Sequence, residues 1–160
     1  TILLAIAMSI PAINVYTHGT HITVAHTMGA TIGINTLLLL ALATDILKDR
    51  GHVTSASSRW LNTGYTLANV SLLVFWLSLI LAGVLKARWQ MDTSQVPFSK
   101  MMQQLRPAFI VFAAAGISLM AGIWMVLYAL ITNYKISRAT SPSRLKRSLR
   151  QKESTAVTVD

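Results

Sequence analysis

The sequence predicts an all-α, polytopic transmembrane helix bundle of about three full spans plus the end of another. Two observations predict it. Of the 160 residues, 53% are hydrophobic and only 12% are charged, against roughly 25% charged in an ordinary soluble domain. Stretches free of Asp, Glu, Lys and Arg run over residues 1–44, 60–85 and 107–134, and a helix needs about 20 apolar residues to cross a bilayer.

The first stretch is too long for one span and carries polar punctuation at Tyr16-Thr17-His18-Gly19-Thr20-His21, so it divides there. Residues 1–15 form the end of one helix, which Pro11 kinks because proline lacks a backbone donor. This segment has neither an initiator Met nor a basic flank, so it does not read as a signal peptide; the chain is expected to begin within a helix and to be a piece of something larger. The complete spans are residues 21–47, 60–85 and 107–134. Residues 1–136 are thus the membrane part. Residues 137–160, rich in Ser, Thr, Lys and Arg and containing Pro142, form a basic tail expected to be unstructured or to lie on anionic lipid. Small residues at Gly64, Ala68, Ser71 and Ser78, and at Ala113, Ala114, Ala115, Gly116, Ser118, Ala121 and Gly122, allow close helix packing, but the faces that meet cannot be read.

A net charge of +9 invites a nucleic-acid reading, but seven of the fourteen basic residues fall between Lys135 and Lys152, so the charge belongs to the tail and no nucleic-acid partner is expected. The loop between the second and third spans carries Lys48, Arg50 and Arg59, and with the tail this side holds ten basic residues; the other holds Lys86, Arg88, Lys100 and Arg106. The positive-inside rule then places the tail in the cytoplasm and the short His18–His21 turn outside. Trp60, Trp89 and Tyr134 stand near span ends as interfacial anchors, whereas Trp76 and Trp124 fall mid-span.

With no cysteine, disulfides, thiolate-bound zinc, iron–sulfur clusters and covalently attached c-type haem are excluded. The five acidic residues lie outside the apolar runs, leaving no paired-carboxylate site. Chemistry concentrates instead in histidine: His18, His21 and His26 fall within nine residues, and the fourth, His52, lies among charged neighbours in a loop. An imidazole inside a bilayer is costly unless paired or metal-bound, so it marks function by default. His26 sits roughly 7 Å along the axis from His21. His26 and Met28, two residues apart, point about 200° from each other on an α-helix. One helix so equipped can offer an imidazole to one haem and a thioether to another; equally, His26 can bond a neighbouring helix and Met28 fill the core. A closed zinc site at His18 and His21 lacks its remaining ligands, and no acid completes a triad.

Tyr16-Thr17-His18-Gly19-Thr20 followed by Thr23-Val24-Ala25-His26 resembles the tenth-helix region of the catalytic subunit of respiratory nitric oxide reductases, in the haem–copper oxidase superfamily, where a Thr-His-Gly-Thr turn leads to a His-x-His pair. The downstream spans, with Val96-Pro97-Phe98 in the outer loop and Leu105-Arg106-Pro107 opening the last span, resemble the C-terminal part of that subunit. The resemblance implies that His26 is the proximal ligand of a high-spin haem b. Met28 stands where the second histidine would bind the low-spin haem b, and methionine there raises its potential relative to bis-histidine ligation. His18, Gly19 and Thr20 match the turn near the haem propionates. His21 replaces a residue usually Gln and serves the same supporting role.

The implied activity is reduction of two nitric oxide molecules to nitrous oxide and water, at a high-spin haem facing a non-haem iron held by residues outside this chain. The partners are the rest of the catalytic subunit, a cytochrome c-type subunit or quinol as electron donor, and the lipid of the inner membrane. No catalytic group is expected on this chain alone. Two alternatives stay open: a terminal oxygen reductase of the same superfamily, and a non-catalytic b-type cytochrome or scaffold subunit.

Overall fold

In the computed structural model the backbone is described over residues 1–49, 55–92 and 96–157, and side chains over 1–49, 57–92 and 96–135. Arg50 and His52 lie outside these residues. The described residues form helices joined by short turns, with no strand among them: α1 (Ile2–Ser9), α2 (Pro11–Thr17), α3 (His21–Met28), a π-helical segment (Gly29–Thr36), α4 (Leu37–Asp49), α5 (Ser55–Met91) and α6 (Phe98–Val157). Among the described residues three continuous helical stretches are long and apolar enough to cross a membrane: His21–Asp49, Ser57–Met91 and Phe98–Lys135. The expected bundle class is what forms.

The kink expected at Pro11 is a complete break. Ile10 is extended, at φ −79° and ψ 120°, and Pro11 opens α2, because a residue before proline is driven out of the helical region while proline itself suits a first turn. The second span runs as expected from His21, but its middle eight residues are π-helical, a feature that periodicity did not reveal. Gly29 and Gly33 lie in that segment.

Two boundaries differ from expectation. The last span begins at Phe98, after Pro97, and not at Pro107. Met101, Leu105 and Ala108 recur at helical spacing and bury against Ala82 of α5, so the apolar stripe extends the helix upstream and Pro107 is held within it. The same helix continues to Val157, over the tail expected to be unstructured. Apart from Pro142, residues 135–157 are largely helix-tolerant types such as Lys, Arg, Leu, Gln and Ala.

The centre of the fold is the antiparallel pair of α5 and α6. On α6, positions 101, 105, 108, 112, 115, 119, 122, 126, 129 and 133 are buried or partly buried; on α5 the matching series is 57, 61, 64, 68, 71, 75, 78, 82, 85 and 89. Both alternate steps of four and three. That is the seven-residue repeat of a left-handed helix pair. The backbones approach most closely at two glycines: a methyl on Gly122 would lie 2.7 Å from the Ala68 backbone nitrogen, and one on Gly64 would lie 3.0 Å from the Gly122 carbonyl oxygen. Of the small residues marked in the sequence, Gly64, Ala68, Ser71, Ser78, Ala115 and Gly122 line this seam, while Ala113, Ala114 and Ala121 face outward.

The core is stacked in three tiers along the pair. The first joins Leu37 and Leu40 of α4 to Leu61, Ala68, Leu119, Val126, Ala129 and Leu130. The second centres on Ala25, Phe75, Leu79 and Ala115, with Phe75 and Phe112 rings 4.4 Å apart. The third is built on Ala82, Met101, Leu105 and Ala108. Polar side chains tie the first tier: the Tyr65 and Thr44 hydroxyls are 2.8 Å apart, and fully buried Asn133 donates from Nδ2 to the Ser57 hydroxyl at 2.5 Å. At the opposite end Trp89 Nε1 donates to the Val96 carbonyl at 2.8 Å and closes the α5–α6 connection. Trp124, 70% exposed, presents its ring outward from the middle of α6.

Candidate functional site

The histidine-rich segment is shaped first by its own backbone. α2 ends at Thr17, and the chain reverses through His18, Gly19 and Thr20. Gly19 holds φ +68°, a left-handed conformation that costs a glycine little and other residues more. Thr20 is extended and caps α3: its hydroxyl accepts from the Ile22 N–H at 3.3 Å and donates to the Thr17 carbonyl at 2.7 Å. The Thr23 hydroxyl donates to that same carbonyl at 3.1 Å. Thr20 and Thr23 therefore satisfy helix-terminal groups that α2 and α3 leave open, the Thr17 carbonyl and the Ile22 N–H. The turn is a structural joint before it is anything else.

Two residues of α5 anchor this joint, and sequence reasoning missed both. Gly83 packs against the start of α3; a methyl there would lie 2.7 Å from the Ile22 nitrogen and 3.3 Å from the His21 carbonyl carbon. One turn on, Lys86 Nζ donates to the Gly19 carbonyl at 2.9 Å. In the sequence Lys86 is only the first charge after an apolar run and Gly83 one glycine inside it. Neither signal points to a partner more than sixty residues upstream.

Of the residues singled out in the sequence, His18 is exposed on the turn. His21 turns toward α6, its ring edge-on to Phe109 with centroids 5.1 Å apart, and its Nδ1 is buried without a partner. Met28, two turns along, packs partly buried against the tier of Ala25, Phe75, Leu79 and Ala115, so His21 and Met28 both look toward the α5–α6 pair. His26 lies on another face. The α-helical conformation holds through Met28, so the expected separation of about 200° between His26 and Met28 is preserved. The His26 Nδ1 is buried and makes no hydrogen bond.

One turn beyond His26 the helix becomes π-helical, a form that often marks functional sites. There Gly29 meets Trp76 of α5: a methyl on Gly29 would lie 3.1 Å from the indole nitrogen, which is itself buried without an acceptor. A cavity of about 290 Å³ opens beside them, walled by Gly29, Asn69, Leu72, Leu73, Trp76 and Thr1. Trp76, placed mid-span by the sequence and given no role, is the aromatic wall of this space.

Among the described residues no three His, Cys, Asp or Glu side chains gather to hold a bare metal ion, so the His18–His21 zinc option gains no third ligand. The donor set suits a group that would take one imidazole from this chain. An imidazole with a buried, unpartnered nitrogen loses about 1–3 kcal/mol relative to one that is hydrogen-bonded. A haem bound at His26 would use this imidazole; the glycines at 29 and 33 are taken up by close contact with Thr1, Trp76 and Leu72.

Fold and site together define a polytopic membrane protein with a histidine-bearing span packed on a helix pair. The family model described as cytochrome c and quinol oxidase polypeptide I matches residues 3–119, most of the chain. The chain belongs to that family, and so to the haem–copper oxidase superfamily of membrane oxidoreductases, whose members bind haem and metal and work in respiratory electron transport within multi-subunit complexes. No curated protein and no solved structure matches it.

Proposed function

We propose that this chain is part of the catalytic subunit of a nitric oxide reductase and that His26 supplies the proximal ligand of the high-spin haem b. The observation that carries the reading is the His26 imidazole, set inside a membrane span with Nδ1 buried and unpartnered, in a chain of a haem-binding family. The Tyr16-Thr17-His18-Gly19-Thr20 turn before it supports the nitric oxide branch. In this reading a haem held by His26, together with a non-haem iron held by residues outside this chain, would supply the redox chemistry by which two nitric oxide molecules, two electrons from the donor and two protons give nitrous oxide and water.

The chain's own contribution is positional. Thr20 and Lys86 hold the turn, Gly83 sets the height of α3 on α5, and the imidazole is thereby fixed in the span. His18, Gly19, Thr20 and His21 lie at the membrane edge, where the haem propionates are proposed to end. Electrons are proposed to arrive from a cytochrome c-type subunit or quinol, and the charge asymmetry supports an inner-membrane location with residues 137–160 as a cytoplasmic tail. Met28 is proposed as the ligand of the low-spin haem b. A second reading of Met28, as packing, rests on its contact with the Phe75 tier.

His26→Ala in the intact complex is expected to abolish the high-spin haem spectrum while the protein still assembles; a retained high-spin signal overturns the ligand assignment. Met28→Leu separates the two readings of that residue: loss of the low-spin spectrum supports ligation, and an unchanged one leaves packing. The matched family includes terminal oxidases, so oxygen reduction is the competing activity. Nitric oxide and oxygen consumption by the same preparation, with the same donor, decides between them.

A further inference from the structure

Away from the histidines, a second polar feature lies at the opposite end of the bundle, where α4 ends and α5 begins. A cleft of about 330 Å³ opens there between the two helices, and its lining includes Lys48, Arg59, Ser58, Asn62, Thr44 and Tyr65. No carboxylate is among the described lining residues; Asp45 and Asp49 stand on α4 outside the cleft and are exposed. Lys48 is next to last in the span His21–Asp49, and Arg59 is in the first turn of the span Ser57–Met91. The cleft therefore sits at headgroup level.

The hydrogen bonds inside the cleft sort its donors. Thr44 donates its hydroxyl proton to the Leu40 carbonyl at 2.8 Å, so in the 2.8 Å contact between the Thr44 and Tyr65 hydroxyls the tyrosine is the donor. Both protons are used within the protein. The donors left to a ligand are the Lys48 ammonium, the Arg59 guanidinium, the Ser58 hydroxyl and the Asn62 amide. Two exposed positive charges and two exposed neutral donors over a closed hydroxyl pair match a group with several acceptor oxygens and negative charge, which is a phosphate.

We propose that this cleft binds the phosphate of an anionic phospholipid. Basic pockets between transmembrane helices at the membrane surface recognise such headgroups, and the depth of Lys48 and Arg59 favours a lipid over a phosphate free in solution. The site lies at the other end of α4 and α5 from the histidine turn and does not depend on what His26 binds.

The test uses the purified intact complex, stripped of lipid in detergent and titrated with phosphatidylglycerol or phosphatidylcholine in mixed micelles, with bound lipid counted by native mass spectrometry. The paired variant Lys48→Gln/Arg59→Gln is expected to weaken phosphatidylglycerol binding about thirtyfold, roughly fivefold for each charge, with phosphatidylcholine unaffected. Lys100→Gln/Arg106→Gln, which removes the same charge at the other end of α6, is expected to keep the lipid, and Lys48→Arg/Arg59→Lys to retain it and to show that the cleft still folds. Unchanged phosphatidylglycerol affinity in the first variant overturns the proposal, as does an equal loss in the control. Inorganic phosphate that binds as tightly and displaces the lipid reassigns the cleft to a soluble anion and overturns it too.

Discussion

Replacing Gly83 with alanine tests how the histidine turn is held. The new methyl would lie 2.7 Å from the Ile22 backbone nitrogen, and ordinary contact requires about 3.5 Å, so the start of α3 must retreat by about 0.8 Å. Because the obstacle is backbone, no side-chain rotation relieves it. With the Lys86 stem held where it lies on α5, a retreat of that size stretches its 2.9 Å bond to the Gly19 carbonyl to about 3.7 Å, beyond hydrogen-bonding reach. Overpacking costs about 1–3 kcal/mol and the lost bond up to about 1 kcal/mol more. The assay is unfolding of the purified complex in mixed micelles, followed by circular dichroism. A double-mutant cycle with Lys86→Met sharpens it, because a bond already broken by Gly83→Ala cannot be lost twice. Lys86→Met alone should destabilise slightly, and in the Gly83→Ala background it should do nothing further. A loss below about 0.5 kcal/mol for Gly83→Ala, or additive effects of the two changes, would refute the reasoning.

Three other glycine and tyrosine positions extend the test. Gly122→Ala places a methyl 2.7 Å from the Ala68 nitrogen and should cost about 1–3 kcal/mol in the same unfolding assay, by forcing α5 and α6 apart. Gly116→Ala is the internal control: its methyl would meet the Phe75 ring at 3.5 Å, ordinary contact, so the helix-propensity gain of about 0.5–1 kcal/mol should leave the protein as stable as before or more so. Tyr65→Phe removes the bond to Thr44 and should cost about 0.6 kcal/mol, the usual size of such bonds in a membrane; hydrogen exchange at the α4–α5 end should rise while the histidine turn is unaffected.

Span number, helical class and the position of the turn were legible because each rests on composition: charge-free stretches of bilayer length and a cluster of polar residues dividing the first. A distortion at Pro11 was legible from local sterics, but not that it would be a complete break. The start of the last span was misplaced, because the charge-free stretch was counted from after Arg106 without the Met101–Leu105–Ala108 stripe that carries the helix upstream. The seam of α5 and α6 was written in the sequence as steps of four and three, but in a membrane helix apolar residues occupy every face, so no contrast isolates the stripe. Gly64 and Gly122 were marked as small; that they meet each other depends on register. The π-helical segment left no periodic signature in eight residues. At the site, the histidines drew notice as intramembrane polar groups, whereas Lys86, Gly83 and Trp76 matter only through contacts distant in sequence.

The seven-residue seam also bears on the order in which this region assembles. Its two strips belong to consecutive helices joined by a short connection that Trp89 pins, so they can find each other as soon as both are in the bilayer, with little loop-closure entropy and no help from elsewhere. The histidine-bearing helix then lands on a platform that already exists. Loading of the haem proposed at that helix would then be a late event, following the pairing of α5 and α6.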